Sequence, residues 1–159
     1  MGRKDLIFVD QGQVDTNLSF SGDKTNLTAH NEGYIVNVSG NYTGPNYQYF
    51  SNTYDDSGNE QGHEAYEASS VTFNATGKGS MTGLVTKGTV KTEEKQVLDE
   101  SHKPILNINL DNGFTWNLKK SGTTNTAKFD TLNLTHGSIL NAAFDDAGGN
   151  EFILQGNGE

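Results

Sequence analysis

Two short runs carry the side chains best suited to chemistry: Asp55, Asp56, Asn59 and Glu60 in YDDSGNE, and Asp145, Asp146 and Asn150 in FDDAGGN. Hard oxygen ligands set close together are what Ca²⁺ takes. Neither run follows the loop with ligands at alternating positions, and neither follows the GGxGxDxUx nonapeptide. Asp and Asn beside Gly are also ordinary turn residues, because their side chains bond the backbone two residues on. Turn chemistry is therefore the expectation here, with no metal and no cofactor.

The histidines, His30, His63, His102 and His136, stand in polar, loop-like contexts. No HxH, HxxxH or HExxH spacing aims two of them at one metal. Serine and aspartate are plentiful, yet no GxSxG elbow surrounds a serine. A pectinolytic centre needs a basic residue beside its acids, and Arg3 is the only arginine. Paired carboxylates for glycoside hydrolysis depend on distance in space, so sequence spacing leaves them open. The expectation is a protein that is not an enzyme and has no catalytic residue.

Binding has a better candidate. Residues 45 to 70 are polar and hold Tyr47, Tyr49, Phe50, Tyr54 and Tyr66. Exposed aromatics on a loop above a rigid scaffold grip proteins and sugars. The alternative is that the rings fold back over the scaffold's side. Six N-x-S/T triplets, at Asn17, Asn26, Asn37, Asn41, Asn74 and Asn133, follow from alternating Asn and Thr and imply no glycosylation.

The elements that must position these residues are short. The chain has 159 residues, the size of one domain, with 32% hydrophobic residues, 19 Gly and 2 Pro. Mean hydropathy is −0.65. Charged residues are only 19%, so the polarity comes from Asn, Thr, Ser and Gly, unlike a disordered chain. A net charge of −9 offers no basic face for phosphates, which argues against nucleic acid. Cysteine is absent, excluding thiol chemistry and disulfides. No apolar run is long enough to span a membrane as a helix. Leu6 to Val9 is too short for a signal peptide, so a targeting signal for export would lie outside this sequence.

Apolar residues alternate with polar ones in Leu18 and Phe20; Tyr34, Val36 and Val38; Val71, Phe73 and Ala75; Leu106, Ile108 and Leu110; Phe114, Trp116 and Leu118; and Phe152 and Leu154. That is the period of half-buried strands, and Gly, Asn or Asp ends each run. Residues 45–70 and 91–104 interrupt the rhythm as loop excursions, the second with room for one helical turn. Short strands, frequent Gly and Asn at corners, and Asn or Thr in exterior rows favour an all-β parallel β-helix over the alternative, a β-sandwich. TLNLTHGSILNAAFDD then reads as two strands around one corner: Leu132 and Leu134 inside, a bend at Gly137, and Ile139 inside the next sheet.

The stretch LDNGFTWNLKKSGTTNTAKFDTLNLTHGSILNAAFDDAGGNEFILQGNG resembles the passenger domains of bacterial autotransporters just before their membrane barrel. The matching residues are Trp116, Asn117 and Leu118, then Leu132, Leu134, Gly137 and Ile139, then Phe152 and Leu154. Residues 18–90 match only in style. The resemblance implies a right-handed parallel β-helix over residues 1–159, displayed on the surface of a Gram-negative bacterium. It implies a structural or adhesive role whose C-terminal coils nucleate folding, with the membrane reached only through a β-barrel absent from this sequence. Expected partners are a host or bacterial surface protein or glycan, or a second copy, with Tyr47, Tyr49, Tyr54 and Tyr66 as contacts. The core is expected at Trp116, Leu118, Leu132, Leu134, Ile139 and Phe152. Alternative functions are a β-sandwich adhesin or lectin-like module, and a β-helical polysaccharide lyase or tailspike-like enzyme.

Overall fold

The structure, a computed structural model, describes residues 4–9, 15–38, 50–65, 69–88, 104–144 and 151–156. These form strands and no helix: β1 (Ile7–Val9), β2 (Asp15–Ser21), β3 (Asn26–Thr28), β4 (Val36–Val38), β5 (Phe50–Tyr54), β6 (Glu60–Ala65), β7 (Ser70–Thr76), β8 (Ser80–Thr82), β9 (Val85–Lys87), β10 (Ile105–Asp111), β11 (Thr115–Asn117), β12 (Thr126–Lys128), β13 (Thr131–Leu134), β14 (Ile139–Asn141) and β15 (Ile153–Gln155).

One parallel sheet has the order β2-β7-β10-β13 and a second has β3-β8-β11-β14. A third joins β1-β4-β9, and β12 lies against β9 and pairs with β15. The chain visits these places in one order: β2-β3-β4, β7-β8-β9, β10-β11-β12, β13-β14-β15. Each such set is one tier. Equivalent residues of the last two tiers are 24 apart in the first two sheets, as in Asn109 and Asn133, and 27 apart between β12 and β15, as in Thr126 and Ile153. The preceding step is 35, because it contains residues 89–103. The stretch 45–70, expected as a loop, contains an antiparallel hairpin of β5 and β6, irregular at Thr53 and Tyr54. All other paired strands run parallel, which a sandwich of antiparallel sheets does not allow.

Alternation decides what is buried. In β7 and β10, Val71, Phe73, Ala75, Leu106, Ile108 and Leu110 point inward and are buried. The intervening Thr72, Asn74, Thr76, Asn107, Asn109 and Asp111 form the outer face. Met81 and Trp116 are inward neighbours in the second sheet. Val36, Val38, Val85 and Ala127 fill the third side, and Ile35, Leu84, Phe114, Leu118 and Phe129 close the corners. Strict alternation with Val36 and Val38 would turn Ile35 outward. It precedes β4 at a corner and is fully buried.

Two backbone features make the corners. Gly22, Gly77, Asn112 and His136 follow the in-register ends of four successive strands of the first sheet, with φ of 113°, 103°, 58° and 48°. This bend requires a left-handed residue in every tier; Gly adopts it freely, and Asn and His tolerate it better than most. Gly83 has φ of 132°, and a Cβ there would lie 2.7 Å from Ala29 Cβ. Its carbonyl accepts the buried Trp116 Nε1–H at 2.9 Å.

The expected core holds in its middle and fails at its end. Trp116 and Leu118 are buried, and Leu132 and Phe152 are half-buried against the core. Ile139 is a correction. Register places it beside Thr115 in the outward row, 53% exposed, while Leu140 lies beside Trp116 on the inner side. Leu140 keeps the phase of Leu132 and Leu134 through the turn, whereas an inward Ile139 would need a one-residue slip, which exchanges the two faces of a strand. Leu134 continues the inward row of Leu110 but is 39% exposed. Strand β13 is the sheet's edge, and among the described residues no further strand covers it.

Candidate functional site

Few of the sequence candidates fall among the described residues. Tyr47, Tyr49 and Tyr66 lie outside the described residues, as do His102, Asp145, Asp146 and Asn150. Tyr54 ends β5 and faces Glu60 across the hairpin. His63, expected in a loop, is within β6 opposite Asn52.

Asp55 opens the hairpin turn. Its Oδ1 accepts the backbone N–H groups of Ser57 and Asn59, both at 2.9 Å, and its backbone N–H donates to the Asn59 carbonyl at 2.9 Å. Those donors use the carboxylate's lone pairs to close the turn, which is the turn chemistry expected for YDDSGNE. Among the described residues no group of three or more His, Asp and Glu side chains could hold a metal ion.

The most organised polar surface is the outer face of the first two sheets. Asn133 Nδ2 donates to Asn109 Oδ1 at 2.8 Å, and Asn109 Nδ2 donates to Asn74 Oδ1 at 3.0 Å. Asn74 Nδ2 continues the row to the Leu18 carbonyl at 3.4 Å. Thr131 Oγ1 donates to Asn107 Oδ1 at 2.8 Å, one residue pair away. In the second sheet, Asn141 Nδ2 donates to Asn117 Oδ1 at 3.0 Å, and Asn117 Nδ2 reaches Thr82 Oγ1 at 3.4 Å. Parallel in-register stacking puts identical amides one strand apart, where each can donate to the next. Asn107 and Asn109 fall outward by alternation with Leu106, Ile108 and Leu110; the ladders required the register.

Two charged arrangements tie tiers together. Lys87 Nζ donates to Asp130 Oδ1 at 2.8 Å and to the Pro104 carbonyl at 2.9 Å, while Asp130 Oδ2 accepts Leu106 N–H at 2.7 Å. This largely buried pair ties the end of β9 to the residues just before β10 and β13. At the stacked corner, His136 Nδ1 lies 2.6 Å from Asp111 Oδ1, which also accepts Thr135 Oγ1–H at 2.8 Å. The hydrogen bond to His136, then that from Thr135, holds the Asp111 carboxyl below its usual range. This couples acid and imidazole as hydrolases do, but Thr135 gives its proton to Asp111 rather than to the imidazole. The arrangement organises a corner.

The fold so defined is an all-β protein of parallel strands in stacked sheets. Among the described residues no helix is long and apolar enough to cross a membrane. Comparison with models of protein families, with curated proteins and with solved structures finds no match for this chain.

Proposed function

We propose that the chain is a right-handed parallel β-helical segment of an autotransporter-like passenger, exposed at the surface of a Gram-negative bacterium, with a structural and adhesive role and no catalysis. The observation that carries this reading is the ordered return of the chain to each sheet, tier after tier, with a 24-residue step at the end. A closed coil is the simplest path through three sheets visited in that order. Residues carrying the family resemblance fall at repeating places. Trp116 and Leu118 belong to the third tier, Leu132 and Leu134 to the fourth, and Gly137 to a corner with φ of 81°. The folding nucleus attributed to the C-terminal coils would draw its burial from β10, β11 and Phe129. The hairpin that Tyr54 belongs to, together with Tyr47, Tyr49 and Tyr66 that neighbour it in sequence, is the proposed contact for a surface protein, a glycan or a second copy.

The test is location followed by binding. Protease added to intact producing cells should remove the segment, and purified protein should bind arrays of surface proteins or glycans, with Tyr54→Ser weakening capture. Protection of the segment until the cells are lysed would overturn surface display. Capture unchanged by Tyr54→Ser and by deletion of residues 45–66 would overturn the adhesive surface.

A further inference from the structure

We propose that Lys87 and Asp130 are a modification site at which the chain cross-links itself, the lysine amine condensing with the aspartate carboxyl to form an intramolecular amide. This goes beyond surface display, and no part of the adhesive reading uses these two side chains. Lys87 Nζ lies 2.8 Å from Asp130 Oδ1, and the two side chains are 18% and 10% exposed. Both groups are held in place. The Pro104 carbonyl accepts from Nζ at 2.9 Å. Leu106 grips Asp130 twice, donating its N–H to Oδ2 at 2.7 Å and accepting the Asp130 backbone N–H at 2.7 Å. Pro104 and Leu106 are buried, as are Val85 and Phe129 beside the pair in sequence. Lys4 and Glu32 also pair, but at 47% and 58% exposure they lack this shielding.

A lysine amine attacks a carbonyl carbon once it has given up its proton. Here one proton passes from Nζ to Oδ1 along their hydrogen bond, leaving a neutral amine and a neutral carboxyl. The Nζ lone pair then bonds to Cγ, and the negative charge that forms on Oδ2 faces the Leu106 N–H. Nζ passes a second proton to Oδ1, which leaves as water, and Oδ2 regains its double bond. The products are one Nζ–Cγ amide and one water, with no oxidant or outside reactant. Between free molecules water favours the separate acid and amine. Two groups held in contact instead react at effective concentrations of about 10⁵–10⁸ M, which favours the amide. Condensation also removes two charges from a shielded place where each is costly. The bond spans 43 residues of chain and joins the end of β9 to the residue before β13.

The test is the intact mass of the whole protein, measured after denaturation so that only covalent bonds count. The parent should be lighter than its sequence by one water. A trypsin digest should contain one branched peptide joining Lys87 to Asp130, and trypsin should no longer cut after Lys87. Lys87→Arg keeps a cation beside Asp130 while removing the amine, and Asp130→Ala removes the carboxyl. Both variants should show the full sequence mass and an unbranched digest. The parent's own mass decides the matter even if a variant fails to fold. A parent at full sequence mass would overturn the proposal. So would a water loss that persists in Lys87→Arg, which would mean an aspartate cyclised elsewhere, or a branched peptide that joins other residues.

Discussion

The middle tiers and the last tier are built from nearly the same sequence pattern and have opposite environments. Leu106, Ile108 and Leu110 in β10 are sealed between β7 and β13. Leu132 and Leu134 in β13 continue the same rows and remain half-buried or exposed. The side chains do not differ; the number of covered edges does. In a stack of tiers each layer's burial comes from its neighbours, so stability should peak inside the stack and fall toward its open end. The apolar-rich sequence from 105 to 154 therefore divides: its first part is core, while Ile139, Phe144, Ile153 and Leu154 are exposed.

The largest effect that could break this contrast is at Trp116. Its ring is fully buried, meets Phe129 edge-on at a centroid distance of 6.3 Å, and donates to the Gly83 carbonyl. Trp116→Ala should cost about 3–5 kcal/mol, seen in denaturant melts, because it leaves a cavity and strips a buried carbonyl of its donor. A variant as stable as the parent would mean that the tiers do not share one core.

Paired truncations of one row test the contrast itself. Leu110→Ala should cost about 2–5 kcal/mol, whereas Leu134→Ala should cost less than about 1 kcal/mol. Hydrogen exchange should agree, slowest in β7, β8, β10 and β11 and faster in β13 to β15. Equal costs at the two leucines would show that the last tier is covered in solution.

A smaller effect belongs to the outer face. Asn109 receives one ladder bond and donates another, so Asn109→Ala should cost about 1 kcal/mol by thermal melt, since water can replace part of what is lost. Asn133→Ala, at the ladder's end, should cost less.

The smallest effect is set by acid. The Asp111 carboxyl is held below its usual value of 3.8 in the folded protein, so it binds protons less readily there than in the unfolded chain. Its stabilisation is present above that value and is lost as pH falls through the lower folded value. Amide exchange at Asn112 and Gly137 should quicken over that acid window, and His136→Ala should flatten the response. An unchanged profile in His136→Ala would remove the pair as the cause.

Much of the fold was legible because period-two alternation states which face of a strand is apolar before any partner is known. The inward sets Val71–Phe73–Ala75 and Leu106–Ile108–Leu110 were readable for that reason, and so were the turns at Asp55 and Asn112. Alternation breaks at the corner where Ile35 and Val36 are both buried, but it holds from Leu134 to Leu140, where the expectation of an inward Ile139 had assumed a break. Met81, Leu84, Val85, Ala127 and Phe129 were not singled out, because strands of three residues are too short to display a period. Of the binding candidates, Tyr47, Tyr49 and Tyr66 lie outside the described residues, and the backbone places Tyr54.

The sequence by itself determined an acidic all-β chain of short strands with left-handed corners, because each of those properties is local: charge, alternation, and the φ that Gly and Asn allow. Only the tertiary structure decided which residue stands beside which. Parallel register, covering 24, 35 or 55 residues of chain in a single strand spacing, turned separate asparagines into ladders and brought Lys87 to Asp130. It also sealed Leu110 between two strands while no described strand covers Leu134. The reason is that burial is a relation between tiers, and no property of one strand records how many neighbours it will have.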